Sequence, residues 1–181
     1  MRGAATAAAL TALALTLTAC GGVADDSTSG SSPAADASDA PAAGGTAQGP
    51  MTFQSLTTDG EDFDATELAG QDVVLWFWAP WCTICRSEAA HVAEAAMQVE
   101  GVEVVGVASS GSLEDMQAFV DETGAGSLTH VADVPGDVWQ QFGVVAQPTY
   151  VFVDDDGRTQ SFAGALSQAA LVDAMQQLAD A

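Results

Sequence analysis

Two cysteines, Cys82 and Cys85, stand two residues apart in the segment Trp78-Ala79-Pro80-Trp81-Cys82-Thr83-Ile84-Cys85. A dense apolar run, Val73-Val74-Leu75-Trp76-Phe77, precedes them, and a helical pattern from Arg86 to about Val99 follows. Where a buried strand gives way to a helix, such a pair is placed for disulfide exchange. The first sulfur falls near the positive end of the helix dipole, which favours thiolate over thiol. The second falls about one turn on, close enough to close a small ring and release a mixed-disulfide partner. CxxC also serves soft metals, and His91 or His130 could join the thiols, but zinc needs four ligands. With no second CxxC and no paired-histidine motif in the chain, redox chemistry is the favoured reading, with no metal and no cofactor.

The elements that must hold this pair can be read around it. Residues 72–78 are too apolar for a half-exposed strand and belong at the centre of a sheet covered on both faces. The helix of 82–99 follows and ends at Gly101, and 102–108 is a second buried strand. In 112–123, Leu113, Met116, Phe119 and Val120 recur at helical spacing, with Ser112 as N-cap and Gly124 beyond the end. Residues 128–132 suggest a short strand and 136–142 a short helix carrying Trp139 and Phe142. Residues 149–153 and 159–162 read as strands joined by a turn at Asp156-Gly157. The last helix spans 167–178, with Leu171, Met175 and Leu178 inward. Ahead of all these, 52–57 reads as an edge strand, Asp59-Gly60 as a turn, and 63–68 as a helical turn ending near Gly70. Alternating strands and helices closed by a hairpin and helix predict an α/β sandwich around a central mixed sheet.

The N-terminal residues carry a different message. Residues 1–19 contain one basic residue, Arg2, then an uncharged Ala/Leu/Thr run, which reads as a secretory signal. The run ends at Leu17-Thr18-Ala19-Cys20, which resembles the bacterial lipobox; the plainer alternative is an ordinary cleavage site followed by a cysteine. Acyl chains on Cys20 would hold the protein on a membrane, each buried methylene adding about 0.8 kcal/mol. Residues 21–50 are rich in Ala, Ser, Gly, Asp and Pro, with Val23 their one large aliphatic, and predict a disordered tether. Its mean reach is about 30 Å. Residues 51–181 remain as a single domain. If Cys20 is acylated, Cys82 and Cys85 can pair only with each other, and so short a loop is a poor staple.

Charge removes other classes of function. The chain has 25 acidic residues against three arginines and no lysine, and within 51–181 only Arg86 and Arg158 are basic. Such a surface repels nucleic acid and anionic headgroups. The acidity suits basic clients, or more simply serves solubility or salt adaptation.

With the tryptophan-flanked CxxC after a central strand and Gln147-Pro148 opening a late one, the chain resembles the thioredoxin superfamily. More narrowly it is similar to the exported TlpA/ResA/DsbE-like branch, and within it to the secreted actinobacterial DsbE/DsbF-type disulfide oxidoreductases. The likeness spans roughly 51–181 and rests on Val73 to Cys85 and on Gln147-Pro148-Thr149-Tyr150-Val151-Phe152. It implies a thioredoxin-like three-layer α/β/α sandwich. Cys82 would be the exposed nucleophile and Cys85 the buried resolving thiol. By sequence alone Pro148 reads as a trans, strand-initiating proline, as most X-Pro bonds are trans; the resemblance implies instead a cis-proline facing the dithiol, with the Gln147 backbone offering strand-like hydrogen bonds to a client. Trp81 would flank the nucleophile and Trp78 pack behind it. Glu88, three residues after Cys85, matches a glutamate of that branch that could raise the buried thiol's pKa and relay its proton; alternatively it is an exposed helix glutamate.

The departures matter as well. Trp76 occupies the position where thioredoxin buries an aspartate, so that relay is absent. Thr83-Ile84 matches neither Gly-Pro nor Pro-His, and no imidazole lies in the motif to stabilise the Cys82 thiolate. Arg86 follows the wrong cysteine for direct contact. Ala90 replaces a helix-kinking proline, so the first helix should run straighter. The implied function is an extracytoplasmic, membrane-anchored thiol–disulfide oxidoreductase acting on exported protein thiols or disulfides. It would work as a monomer, reset by a membrane redox partner, and would not bind nucleic acid. Oxidation of folding clients comes first, reduction in cytochrome c maturation second, isomerisation third, with a metallochaperone the rival class. A peroxiredoxin-like site would carry its cysteine in another motif with a supporting arginine.

Overall fold

The computed structural model describes residues 49–181. The expected signal at 1–19, the acylated Cys20 and nearly all of the 20–50 tether lie outside these residues.

Five strands form the central sheet: β3 (Asp72–Trp78), β4 (Val102–Ala108), β5 (Thr129–Ala132), β6 (Thr149–Val153) and β7 (Thr159–Ala163), in the order β5-β4-β3-β6-β7. β3, β4 and β5 run parallel; β6 runs antiparallel to β3, and β7 antiparallel to β6. This is the thioredoxin-like mixed sheet that the resemblance implies. β3 lies at its centre and is buried on both faces from Val73 onward, which is why its sequence is an unbroken apolar run. Alternation sends Val74, Trp76 and Trp78 to one face and Val73, Leu75 and Phe77 to the other.

The first face is covered by α1 (Thr83–Ala96), α2 (Leu113–Thr123) and α4 (Gln168–Ala179). α2 begins at a capping box, with Ser112 accepting from the Asp115 amide and Asp115 bonding back to Ser112. The second layer is thinner. It holds α3 (Asp137–Gln141), a 3-10 turn at Ala65–Leu68, and the ribbon of β1 (Gln54–Leu56) and β2 (Asp62–Asp64).

Four expectations need correction. The first strand does not edge the main sheet but pairs with β2; it meets β5 through the Ser55 hydroxyl, which donates to the Ala132 carbonyl at 3.3 Å, and just past it through a Thr57–Val131 bridge. The start of the expected 63–68 helical turn is strand, because Asp64 caps the 3-10 turn by accepting the Thr66 amide at 2.9 Å. α1 closes at Ala96, three residues before Val99, with Met97 as C-cap, and runs unbroken through Ala90. Leu113 is 39% exposed, since it stands in the first turn beyond the packed stripe of Met116, Phe119 and Val120.

The parallel strands all point their carboxyl ends toward one end of the sheet, where β6 also starts. The loops after β3, β4 and β5, and the loop before β6, therefore converge there. At the opposite foot, Asp72 accepts the Asp155 amide at 3.1 Å, and Gly49 and Pro50 lie against Gly157.

Candidate active site

Cys82 and Cys85 sit at the head of the sheet, joined as a disulfide with their Cα atoms 5.3 Å apart. The chain leaves β3 through a turn closed by the Cys82 amide on the Ala79 carbonyl (3.0 Å), and Cys82 then caps α1. Its sulfur accepts the Cys85 amide at 3.1 Å, so one of the otherwise orphaned amides of the helix points at Sγ. That arrangement stabilises a thiolate at Cys82 once the bond opens.

Access is graded. Cys85 is fully buried, whereas Cys82 keeps 6% of its surface in contact with solvent. The expected exposed nucleophile is thus an accessible edge rather than an open side chain, because Cys82 also packs into the helical-face core. The neighbours that stand out are Trp81, 62% exposed, and Ile84, 52% exposed. Thr83 is exposed beside them. The Trp81 indole donates to the Ser110 carbonyl at 2.9 Å. Behind the disulfide, Trp78 stacks on Phe119 with centroids 4.0 Å apart and meets the edge of His130 at 5.6 Å.

Glu88, one turn along α1 from Cys85, is 4% exposed. The Trp76 indole N–H donates to its Oε1 at 2.9 Å. The Tyr150 hydroxyl and the Leu166 amide face the carboxyl without closing a hydrogen bond to Oε2. Burial raises the Glu88 pKa above the ordinary carboxylate value, against the pull of these donors and of His91. Burial, with the Glu88 charge next, pushes the Tyr150 phenol well above its ordinary range. The residue at the thioredoxin aspartate position, Trp76, thus binds the carboxylate that stands in this core.

The Gln147–Pro148 peptide is cis, and the Pro148 carbonyl accepts the Gly164 amide at 2.8 Å. Gln147 is half-buried in the loop before β6. Arg86 turns its guanidinium onto Glu122 and over the Phe119 ring, 5.3 Å from the centroid. His91 is exposed on α1. His130 is buried with Nε2 on the Ala125 carbonyl at 3.0 Å, and burial lowers its pKa. Among the described residues no cluster of three or more His, Cys, Asp or Glu converges on a metal-sized site. Tyr150 and Ser110 were not singled out from the sequence. Strand register could have found Tyr150, which pairs with Trp76 across the sheet and so shares the Glu88 face; no sequence signal marks Ser110.

The AhpC/TSA family model matches residues 46–161, well over half of the chain. This chain belongs to the AhpC/TSA family. Among curated relatives it is 36% identical over 107 residues to the soluble secreted antigen MPT53 of Mycobacterium tuberculosis, covering 59% of this chain. It spans about three fifths (61%) of that relative's own length. Among solved structures it is similar to DsbF of M. tuberculosis, with 40% identity and a TM-score of 0.69. That match covers 71% of this chain and 96% of DsbF. A secreted M. tuberculosis disulfide oxidoreductase homologous to E. coli DsbE matches at 32% identity and TM-score 0.67, covering 71% and 98%. The second of these structures is described as a disulfide oxidoreductase, and both share this chain's fold over nearly their whole length. In this chain the two cysteines of the CxxC pair are joined to each other, and Arg86 is engaged by Glu122.

Proposed function

We propose that this protein is an extracytoplasmic thiol–disulfide oxidoreductase that oxidises thiols of exported proteins through Cys82 and Cys85. One observation carries the reading: the disulfide lies at the loop-rich head of the sheet, with Cys82 keeping an edge in solvent and Cys85 sealed. A client thiolate can reach only Cys82. Its attack forms a client–Cys82 mixed disulfide and expels Cys85 as thiolate, which takes up a proton. Glu88, held toward its protonated form by burial, supports that transfer from one helical turn away. A second client thiolate then attacks the client sulfur of the mixed disulfide and releases Cys82. The client gains a disulfide, and the dithiol holds the two electrons until a membrane redox partner removes them. Trp81 flanks the reacting sulfur, and the Gln147 backbone before Pro148 offers hydrogen bonds to the extended client. The lipobox-like Leu17 to Cys20 supports anchoring through an acylated Cys20, with 20–50 as tether and 51–181 as the reactive domain.

Equilibration of the protein with glutathione buffers tests the direction. A reduction potential more oxidising than thioredoxin's supports the oxidase; a value near or below about −270 mV refutes it. That outcome would favour the reductase reading, for which a buried Glu88 one helical turn after the resolving cysteine is the specific observation. Cys82→Ser should abolish turnover, and Cys85→Ser should trap clients covalently on Cys82. Full activity in Cys82→Ser would show that the nucleophile is misassigned.

A further inference from the structure

Ser110 stands in the loop between β4 and α2 with φ of 60°, the one non-glycine positive φ among the described residues. Serine adopts this left-handed conformation uncommonly. The loop is pinned on both sides. The Ser109 amide donates to the Trp78 carbonyl at 3.1 Å, and Ser112 begins α2 through its capping box. Gly111 lies so close to Pro80 that a Cβ there would overlap the proline ring. The Ser110 hydroxyl makes no hydrogen bond to the described residues, so what the residue contributes is its backbone. Its carbonyl accepts the Trp81 indole N–H at 2.9 Å. Trp81 is 62% exposed, too far out of the core for packing alone to fix its ring.

Two recesses meet at this point. One, of about 400 Å³, lies between Trp81, Arg86, Asp115, Phe119 and Glu122, and carries charge. The other, of about 590 Å³, is lined by Val134, Trp139, Val144 and Val145 and has no charged residue in its wall. Ser110 borders both. We propose that Ser110 is a positioning residue for client recognition: its left-handed backbone holds Trp81 as a fixed wall beside Cys82, so that client residues flanking the reacting cysteine sort into a charged and an apolar recess. This rests on the oxidoreductase reading. It adds that the protein selects clients by the side chains next to their cysteine.

The test compares rate constants for opening the Cys82–Cys85 disulfide of the full chain by two thiols. One is glutathione; the other is an extended peptide with a central cysteine between arginine and leucine. The readout is the ratio of peptide to glutathione rates, taken at a temperature where circular dichroism shows each variant folded. Ser110→Val, β-branched and unsuited to the left-handed region, should lower the ratio about five- to tenfold, the scale of one net hydrogen bond. Ser110→Gly and Ser110→Asn, which accept that backbone, should keep the wild-type ratio. Trp81→Phe, a surface change that removes the indole N–H, should reproduce the loss, and the Ser110→Val/Trp81→Phe pair should lose no more than either alone. A wild-type ratio in Trp81→Phe overturns the inference even if Ser110→Val fails to fold. So does failure of Ser110→Gly to keep the ratio, or additive losses in the double variant. If neither thiol opened the wild-type Cys82–Cys85 disulfide, the oxidoreductase reading itself would fall, a result distinct from any of these.

Discussion

Replacing Glu88 by glutamine should make the oxidised protein more stable, by an amount that grows with pH. The Glu88 side chain is buried, one oxygen receives the Trp76 indole N–H at 2.9 Å, and the other closes no hydrogen bond. Burial raises its pKa above the ordinary 4.5, so the folded protein binds this proton more tightly than the unfolded chain does. Stability from that proton is fully present below the unfolded pKa and is lost as pH rises through the higher folded value. Glutamine keeps the acceptor for Trp76 and never ionises. The two proteins should therefore be nearly equal at about pH 4. The variant should gain about 1.4 kcal/mol for each unit by which the Glu88 pKa is raised, and level off above the folded pKa. For a domain of this size each kcal/mol moves the melting temperature by roughly 3–5 °C. Thermal scans of both proteins across that range measure the gap directly. A gap that stays constant with pH, or closes as pH rises, would refute a buried carboxyl favouring its protonated form.

Other perturbations separate packing from chemistry. Gly106→Ala places a Cβ onto the His130 imidazole and the Trp78 indole, and should cost about 2–3 kcal/mol in denaturant unfolding, because neither ring can retreat from the core. Asp133→Ala removes the buried carboxylate that accepts the Trp139 amide at 2.9 Å, and should cost about 1–3 kcal/mol, with Asp133→Asn losing less. Glu122→Gln opens the pair with Arg86 at an exposed site and should change the unfolding midpoint by less than about 1 kcal/mol.

The strands and helices that were legible in the sequence are those whose pattern is overdetermined. β3 announces itself by being apolar on both faces, and α2 by a cap, a period and a terminal glycine that agree. β2 was hidden because Asp62-Phe63-Asp64 has no strand-like composition; its partner Gln54–Leu56 alone makes it a strand. The disulfide pair could be read from spacing, but how little of Cys82 reaches solvent depends on the core that closes around it. Glu88 was ambiguous because a helix glutamate is ordinarily solvated. What decides its burial is an indole twelve residues upstream and a phenol on another strand, contacts that periodicity along one helix cannot report. Ser110 left no trace at all, since a left-handed serine is fixed by its neighbours rather than by its own preference.

At the foot of the sheet, Gly49 and Pro50 lie against Gly157, while the sulfurs lie beyond the other end of β3. Seven residues of strand separate these two ends by about 20 Å. A leash, bead or fused partner attached ahead of Gly49 therefore grips the domain from behind. An attachment there leaves the loops around the sulfurs uncovered.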